Sequence, residues 1–178
     1  YHGQTDFDQF YQDYLETLLG IDRSVGQVLA YLQEAGLDKE TIVFYMGDNG
    51  FSFGEHGLID KRHAYEESMK VPLLARCPAL IKPNTKIKQM VLNLDIAPSI
   101  LEMAGVKKPA QMQGVSFLPL LKGQPVNNWR DKIFYEYYWE NAFPQTPTMF
   151  SIRTDRYKFT RSQGVWDINE LYDLEQDP

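Results

Sequence analysis

Thr41-Ile42-Val43-Phe44-Tyr45-Met46 is an unbroken run of β-forming residues with no polar alternation, the pattern of a strand covered on both faces of a sheet. Upstream of it, Phe7, Phe10, Tyr14, Leu18, Ile21, Val25, Val28 and Leu32 recur at steps of three and four and make one stripe of a long helix. Helix, the short connection Asp38-Lys39-Glu40 and buried strand form half of a βαβ unit, so the expected class is α/β. The strand runs directly into a glycine-punctuated loop, 47–61, and in a parallel sheet that loop leaves the carboxyl end, where open α/β sheets gather their ligand sites.

The helix has recognisable ends. Thr5 followed by Asp8 resembles a capping box, and Ala35-Gly36-Leu37 supplies a glycine stop with an apolar residue after it. Gly20 and Gly26 lie inside and cost about 1 kcal/mol each against alanine, which close approach of another backbone would offset. After the loop, the pattern predicts a short helix over 64–69, a strand over 71–76 and another over 90–94. A helix over 95–104 follows, capped by Asp95, with Pro98 in its first turn and Gly105 as stop. Residues 116–121 read as a short helix ended by Gly123. The segment Gln124-Pro125-Val126-Asn127-Asn128 marks the best boundary, dividing a main α/β part, 1–124, from a small antiparallel α+β subdomain, 125–178. That subdomain is rich in Tyr, Trp and Phe, with strands expected over 132–139, 148–154 and 157–161. Thr154-Asp155-Arg156 reads as a tight hairpin connection, and Glu170-Leu171-Tyr172-Asp173-Leu174 ends the subdomain.

Composition narrows the function. The net charge is −6 and the eighteen lysines and arginines are scattered, which argues against a nucleic-acid partner. No apolar run is long enough for a transmembrane helix, and Tyr1-His2-Gly3-Gln4 has no signal-peptide pattern. A start without methionine suggests a piece of a longer chain. The single cysteine, Cys77, excludes an internal disulfide; with no histidine near it in sequence, it reads as a buried small hydrophobe rather than a nucleophile.

The loop carries the chemistry. Asp48 and Asn49 place a carboxylate and an amide oxygen side by side at a strand end, which suits a hard cation such as Ca2+ or Mg2+, although two ligands do not complete a site. The competing structural reading makes Asn49-Gly50 a hairpin turn between residues 42–45 and 51–53. His56 fits a ligand, an acid, a substrate contact or a loop residue held by a hydrogen bond. Lys61 is a solvated charge unless the substrate is an anion, whose developing charge a lysine and a cation would both stabilise. Glu66 and Glu67 suit the start of a short helix. Tyr135, Tyr137, Tyr138 and Trp139 either stack on sugar rings or pack the sheet. His2 is read as a terminal residue.

Taken together, several motifs resemble the second half of a type I sulfatase of the alkaline-phosphatase-like superfamily. They are Asp48-Asn49-Gly50, Gly54-Glu55-His56-Gly57, Asp60-Lys61, Tyr65-Glu66-Glu67-Ser68, Val71-Pro72-Leu73, Ile21-Asp22-Arg23-Ser24, Asn93-Leu94-Asp95-Ile96-Ala97-Pro98-Ser99 and Met112-Gln113-Gly114. The resemblance covers nearly the whole chain and implies part of an alkaline-phosphatase-like sheet flanked by helices.

It also implies roles. Asp48 and Asn49 take the family's metal positions as Ca2+ ligands, and Lys61 takes the position of the lysine that contacts the sulfate, a catalytic and substrate-binding role. His56 becomes a pocket-lining, substrate-binding candidate. The family's nucleophile is a formylglycine made from a C/S-x-P-x-R motif, which no cysteine or serine here fits, and the early aspartate pair is also absent. The resemblance therefore implies a C-terminal fragment that binds Ca2+ weakly and hydrolyses nothing alone, its partner being the remainder of the parent sulfatase. Met112-Gln113-Gly114, Trp129-Arg130-Asp131 and the Tyr-rich 134–139 are similar to enzymes acting on N-acetylglucosamine 6-sulfate in glycosaminoglycan or mucin. A uronate-2-sulfatase, a phosphoryl hydrolase of the same superfamily and a noncatalytic carbohydrate-binding module stand as alternatives. The family is exported or lysosomal.

Overall fold

A computed structural model describes residues 6–164 and 168–176. Its elements are α1 (Phe7–Glu34), β1 (Val43–Met46), β2 (Ser52–Phe53), β3 (Ile59–Asp60), α2 (Glu66–Met69) and β4 (Leu73–Arg76). After these come α3 (Ile96–Met103), α4 (Leu118–Leu121), β5 (Lys132–Tyr137), β6 (Thr148–Thr154), β7 (Tyr157–Gln163) and β8 (Asn169–Asp173). Two compact units emerge, Tyr1–Tyr45 with Leu74–Ile81, and Met46–Leu73 with Lys82–Pro178.

The first unit is built on α1, whose start differs from the expected one. Asp6 is the cap and its carboxylate accepts from the amides of Asp8 and Gln9; Thr5, like His2, lies outside the described residues. The stop is as expected: Gly36 has φ 69°, and the Leu37 amide reaches back to the Leu32 carbonyl at 2.8 Å, closing a Schellman-type turn. No residue of α1 is buried, and nothing within 4 Å would meet a Cβ at Gly20 or Gly26, so the close backbone expected there is not found among the described residues. β1 and β4 form a two-stranded sheet. Cys77 is buried, its Sγ 3.7 Å from the Lys39 carbonyl, the environment of a small hydrophobe.

In the second unit, residues 90–94 do not form the expected strand. They lead into a 3-10 turn, Asn93–Asp95, that continues into α3, because Asp95 is drawn inward. Its side chain is fully buried and does not cap α3. Instead Oδ2 accepts from the Leu92 amide at 2.8 Å and Oδ1 from the Val115 amide at 2.8 Å. Arg130 grips both oxygens, Nη1 on Oδ2 and Nη2 on Oδ1, the latter at 2.7 Å. A second bond from Arg130 Nη1 and one from the Trp129 indole both end on the Met90 carbonyl. One carboxylate thus ties the start of α3, the connector before α4 and the entry to the C-terminal sheet. Gly114 completes the packing, since a Cβ there would overlap the Leu94 carbonyl.

The expected antiparallel subdomain is a four-stranded sheet of order β5-β6-β7-β8, with Asp155-Arg156 as the two-residue link between β6 and β7. Its fourth strand, β8, pairs Lys158 with Tyr172 and Thr160 with Glu170. The buried face mixes polar residues with the apolar Met149. Lys158, Thr160 and Ser162 of β7 are buried, whereas Phe134, Phe159 and Leu171 on the opposite face are exposed, Phe134 by 73%. Thr160 bonds to Ser151 at 3.0 Å, Ser151 donates to the Phe159 carbonyl at 3.1 Å, and Lys158 Nζ lies 3.7 Å from Glu66. Glu66 also takes Arg153 Nε and Nη2 at 3.0 Å each, so its ion pairs join α2 to the sheet.

Removing one partner of a buried, doubly bonded ion pair strands the other and typically costs about 3–5 kcal/mol. We expect Asp95→Ala in the full-length protein to lose stability on that scale in denaturant unfolding, and a loss under about 1 kcal/mol would deny Asp95 its tying role. A second expectation concerns pH. Burial pushes the Glu66 carboxyl up, but the Arg153 hydrogen bonds and the charges of Arg153 and Lys158 outweigh it, leaving the group below its ordinary value of 4.5. A depressed carboxylate contributes its stability in full above the unfolded-state value and loses it as pH falls through the folded-state value. The stability gap between the protein and Glu66→Gln is therefore expected to hold above pH 4.5 and to close in more acid solution.

Candidate functional site

The turn that follows β1 is made by local chemistry and one tight backbone contact. Asp48 Oδ1 accepts the Asn49 amide at 2.9 Å, and the Asn49 side-chain amide donates to the Gly50 carbonyl at 2.9 Å. The Gly50 amide then bonds to the Ser68 carbonyl at 2.8 Å, and a Cβ at Gly50 would overlap the Glu67 carbonyl, so only glycine lets the turn lie against α2. The hairpin reading of Asn49-Gly50 does not hold, because β1 pairs with β4 and β2 with β3, Ser52 opposite Asp60 and Phe53 opposite Ile59.

That β2–β3 pairing returns the loop and brings Lys61 back to the turn. Lys61 Nζ donates to Asn49 Oδ1 at 3.1 Å, so residues twelve apart in sequence meet. Four contacts hold the chain beside the lysine. Asp60 Oδ1 accepts the Lys61 amide at 2.6 Å and Arg62 Nη1 at 2.7 Å; the Arg62 guanidinium lies 3.2 Å from the centre of the Phe143 ring; and the Tyr135 hydroxyl donates to the Arg62 carbonyl at 3.0 Å. Burial, with Asp60 nearby, pushes the Tyr135 hydroxyl up to about 12, so it stays a donor. The aromatic strand therefore supports the loop through Tyr135, while Tyr138 and Trp139 remain exposed.

His56 sits apart from this cluster, among different partners. It holds a left-handed conformation, φ 56°, in the 3-10 turn Glu55–Gly57, and its ring stacks on Tyr65 at 3.8 Å. Its Nε2 is 3.4 Å from Glu67 Oε2, a buried oxygen that forms no hydrogen bond among the described residues. The Tyr65 and Tyr172 hydroxyls share Glu170 Oε1, at 3.1 and 3.0 Å. His56, Tyr65 and Glu170 border a cavity of about 430 Å3, whose lining also includes His63, Thr160 and Ser162. Burial holds His63 below its ordinary value despite the pull of Asp60 and Glu170, so it is neutral at pH 7.

Of the four residues singled out from sequence, Asp48, Asn49 and Lys61 converge and His56 lines the neighbouring cavity. Sequence reasoning missed Asn93, whose side-chain amide donates to the Asp48 carbonyl at 3.0 Å. It also missed Tyr65 and Glu66 as partners of the sheet. For Asn93 no local signal existed beyond its place in a recognised motif.

Comparison with known proteins agrees along the whole chain. The family model described as Sulfatase matches residues 1–106, and the one described as N-sulphoglucosamine sulphohydrolase, C-terminal, matches residues 54–178. A Bacteroides thetaiotaomicron N-acetylglucosamine-6-O-sulfatase is 37% identical over 174 residues, 97% of this chain and 31% of that protein. The Bos taurus N-acetylglucosamine-6-sulfatase is 41% identical over 147 residues, 82% of this chain and 26% of that protein. A solved structure, described as in complex with its substrate D-glucosamine-2-N,6-O-disulfate, superposes with a TM-score of 0.91 at 37% identity, covering 97% of this chain and 35% of that one. The chain thus spans between a quarter and a third of the length of these curated relatives. With both family models covering more than half of the residues and the fold agreeing at this level, the chain belongs to the sulfatases of the alkaline-phosphatase-like superfamily.

Proposed function

We propose that this chain is the C-terminal part of a sulfuric ester hydrolase that removes sulfate from carbohydrate, with N-acetylglucosamine 6-sulfate in glycosaminoglycan or mucin as the substrate. The observation that carries the reading is the Lys61–Asn49 contact, an ammonium set against an amide oxygen beside Asp48 at a strand end, in a chain similar to N-acetylglucosamine-6-sulfatases. In this reading residues 1–124 complete the catalytic α/β domain and residues 125–178 form its small antiparallel subdomain.

Asp48 and Asn49 fit a hard cation. Both are exposed, both offer oxygen, and the Asn49 carbonyl oxygen has two lone pairs, so its bond to Lys61 leaves one for a metal. Ca2+ takes about six to eight oxygens. Among the described residues no group of three or more His, Cys, Asp or Glu side chains stands ready to hold it, so these two are a share of a shell completed by other parts of the protein. When bound, the ion would withdraw charge from sulfate oxygens as a Lewis acid. Lys61 would hold a sulfate oxygen from the side of Asn49, its position kept by Asp60, Arg62 and Tyr135. The formylglycine nucleophile belongs to residues outside this chain. The cavity beside His56 lies within the roughly 300–1,000 Å3 of small-molecule sites, which supports His56 as a group facing the sugar. Among the described residues no helix is long and apolar enough to cross a membrane.

The test is sulfate release by the full-length protein from N-acetylglucosamine 6-sulfate and from 2-sulfated uronate disaccharides. Turnover of the first substrate is expected, and Lys61→Ala should lower kcat/KM by about 100- to 1,000-fold, the usual cost of one charge-stabilising donor. Turnover of the uronate alone would move the substrate assignment, and phosphate release from phosphate esters without any sulfate release would replace the reading by a phosphoryl hydrolase. Asp48→Ala is expected to abolish the rise in melting temperature that Ca2+ gives the full-length protein, and an undiminished rise would remove Asp48 from the metal site.

A further inference from the structure

We infer that Asn93 is a positioning residue for the Asp48-Asn49 turn, setting the peptide that carries both proposed metal ligands. The inference rests on the reading of Asp48 and Asn49 as Ca2+ ligands and adds a residue to it.

The peptide between Asp48 and Asn49 bears directly on the proposed ligands, because its N–H, the Asn49 amide, holds Asp48 Oδ1 at 2.9 Å, so the direction of that peptide sets the direction of the carboxylate. Its neighbours in the chain are anchored: the Gly47 amide bonds to the Pro72 carbonyl at 3.3 Å and the Gly50 amide to the Ser68 carbonyl at 2.8 Å. The carbonyl of that central peptide is held from outside the loop by Asn93 Nδ2, at 3.0 Å and across forty-five positions of sequence. A peptide pinned on both sides and at its own carbonyl cannot flip without breaking the Asn93 bond.

Asn93 can act as an anchor because its own backbone is anchored. It opens the 3-10 turn that ends at Asp95, and Asp95 is buried and bonded to Leu92, Val115 and Arg130. The Leu94 carbonyl is wedged against Gly114 with no space for a side chain. The turn is rigid for reasons unrelated to Asn93, whose own side chain is exposed. Its amide therefore contributes little to the fold and much to the orientation of the ligands, the division expected of a group that orients metal ligands from behind.

The separation of those two roles makes the test. In the full-length protein, Asn93→Ala and the near-isosteric Asn93→Leu both remove the donor. Each is expected to weaken Ca2+ binding, measured by calorimetric titration after chelation, by about 10-fold or more. The melting temperature in excess chelator should stay that of the unaltered protein. Unaltered Ca2+ affinity in both variants, alongside lost binding in Asp48→Ala, would overturn the positioning role and leave the metal reading standing. Unaltered binding in Asp48→Ala would overturn the metal reading itself, and the inference with it. A fall in metal-free melting temperature in both Asn93 variants would show that the residue serves the fold and would also overturn the inference.

Discussion

The buried carboxylate of Asp95 is the constraint on which most of the second unit depends. A fully desolvated charge is tolerated only when every oxygen is paired, and here two backbone amides and a bidentate arginine satisfy it. Those partners come from residues 92, 115 and 130, three places the chain could otherwise hold in many relative arrangements. Satisfying one ion fixes them all. The start of α3, the approach to α4 and the beginning of β5 are then set, and the glycine at 114 lets the backbone close over the result.

A second ionic group does for the sheet what Asp95 does for α3. Many antiparallel sheets turn an apolar face inward, but beside the buried Met149 this one also turns Lys158, Thr160 and Ser162 inward and leaves Phe134 and Leu171 in the open. The reason lies in α2, which presents Glu66 to Arg153 and Lys158. Burial lowers Lys158 from its ordinary value while Glu66 pulls the other way, the signature of a cation kept inside by its counter-ion. The polar inner face also borders the cavity beside His56.

Much of the architecture was legible beforehand. The long helix, its Gly36 stop, the β1 strand, the Gly105 and Gly123 stops and the antiparallel C-terminal strands all follow from periodicity and turn chemistry. Two of the errors share a cause. The strand expected over 90–94 became a 3-10 turn, and the Asp95 cap turned away from its helix, because an arginine thirty-five residues later offered the carboxylate a better partner. Local pattern cannot register a partner at that distance.

The sequence by itself determined which chemistry is present: a carboxylate and an amide oxygen at a strand end, a lysine beyond a glycine-rich loop, and motifs dense enough to identify the family. Only the tertiary structure decided how those groups meet. Lys61 reaches Asn49 because β2 and β3 pair and fold the loop back, and the Asp48 carbonyl is held because a turn forty-five residues away is fastened by a buried ion pair. Residue type and spacing are properties of the chain and can be read in order. Hydrogen bonds between distant segments are won by competition among all the partners that folding brings near, and that competition is settled only when the chain has closed.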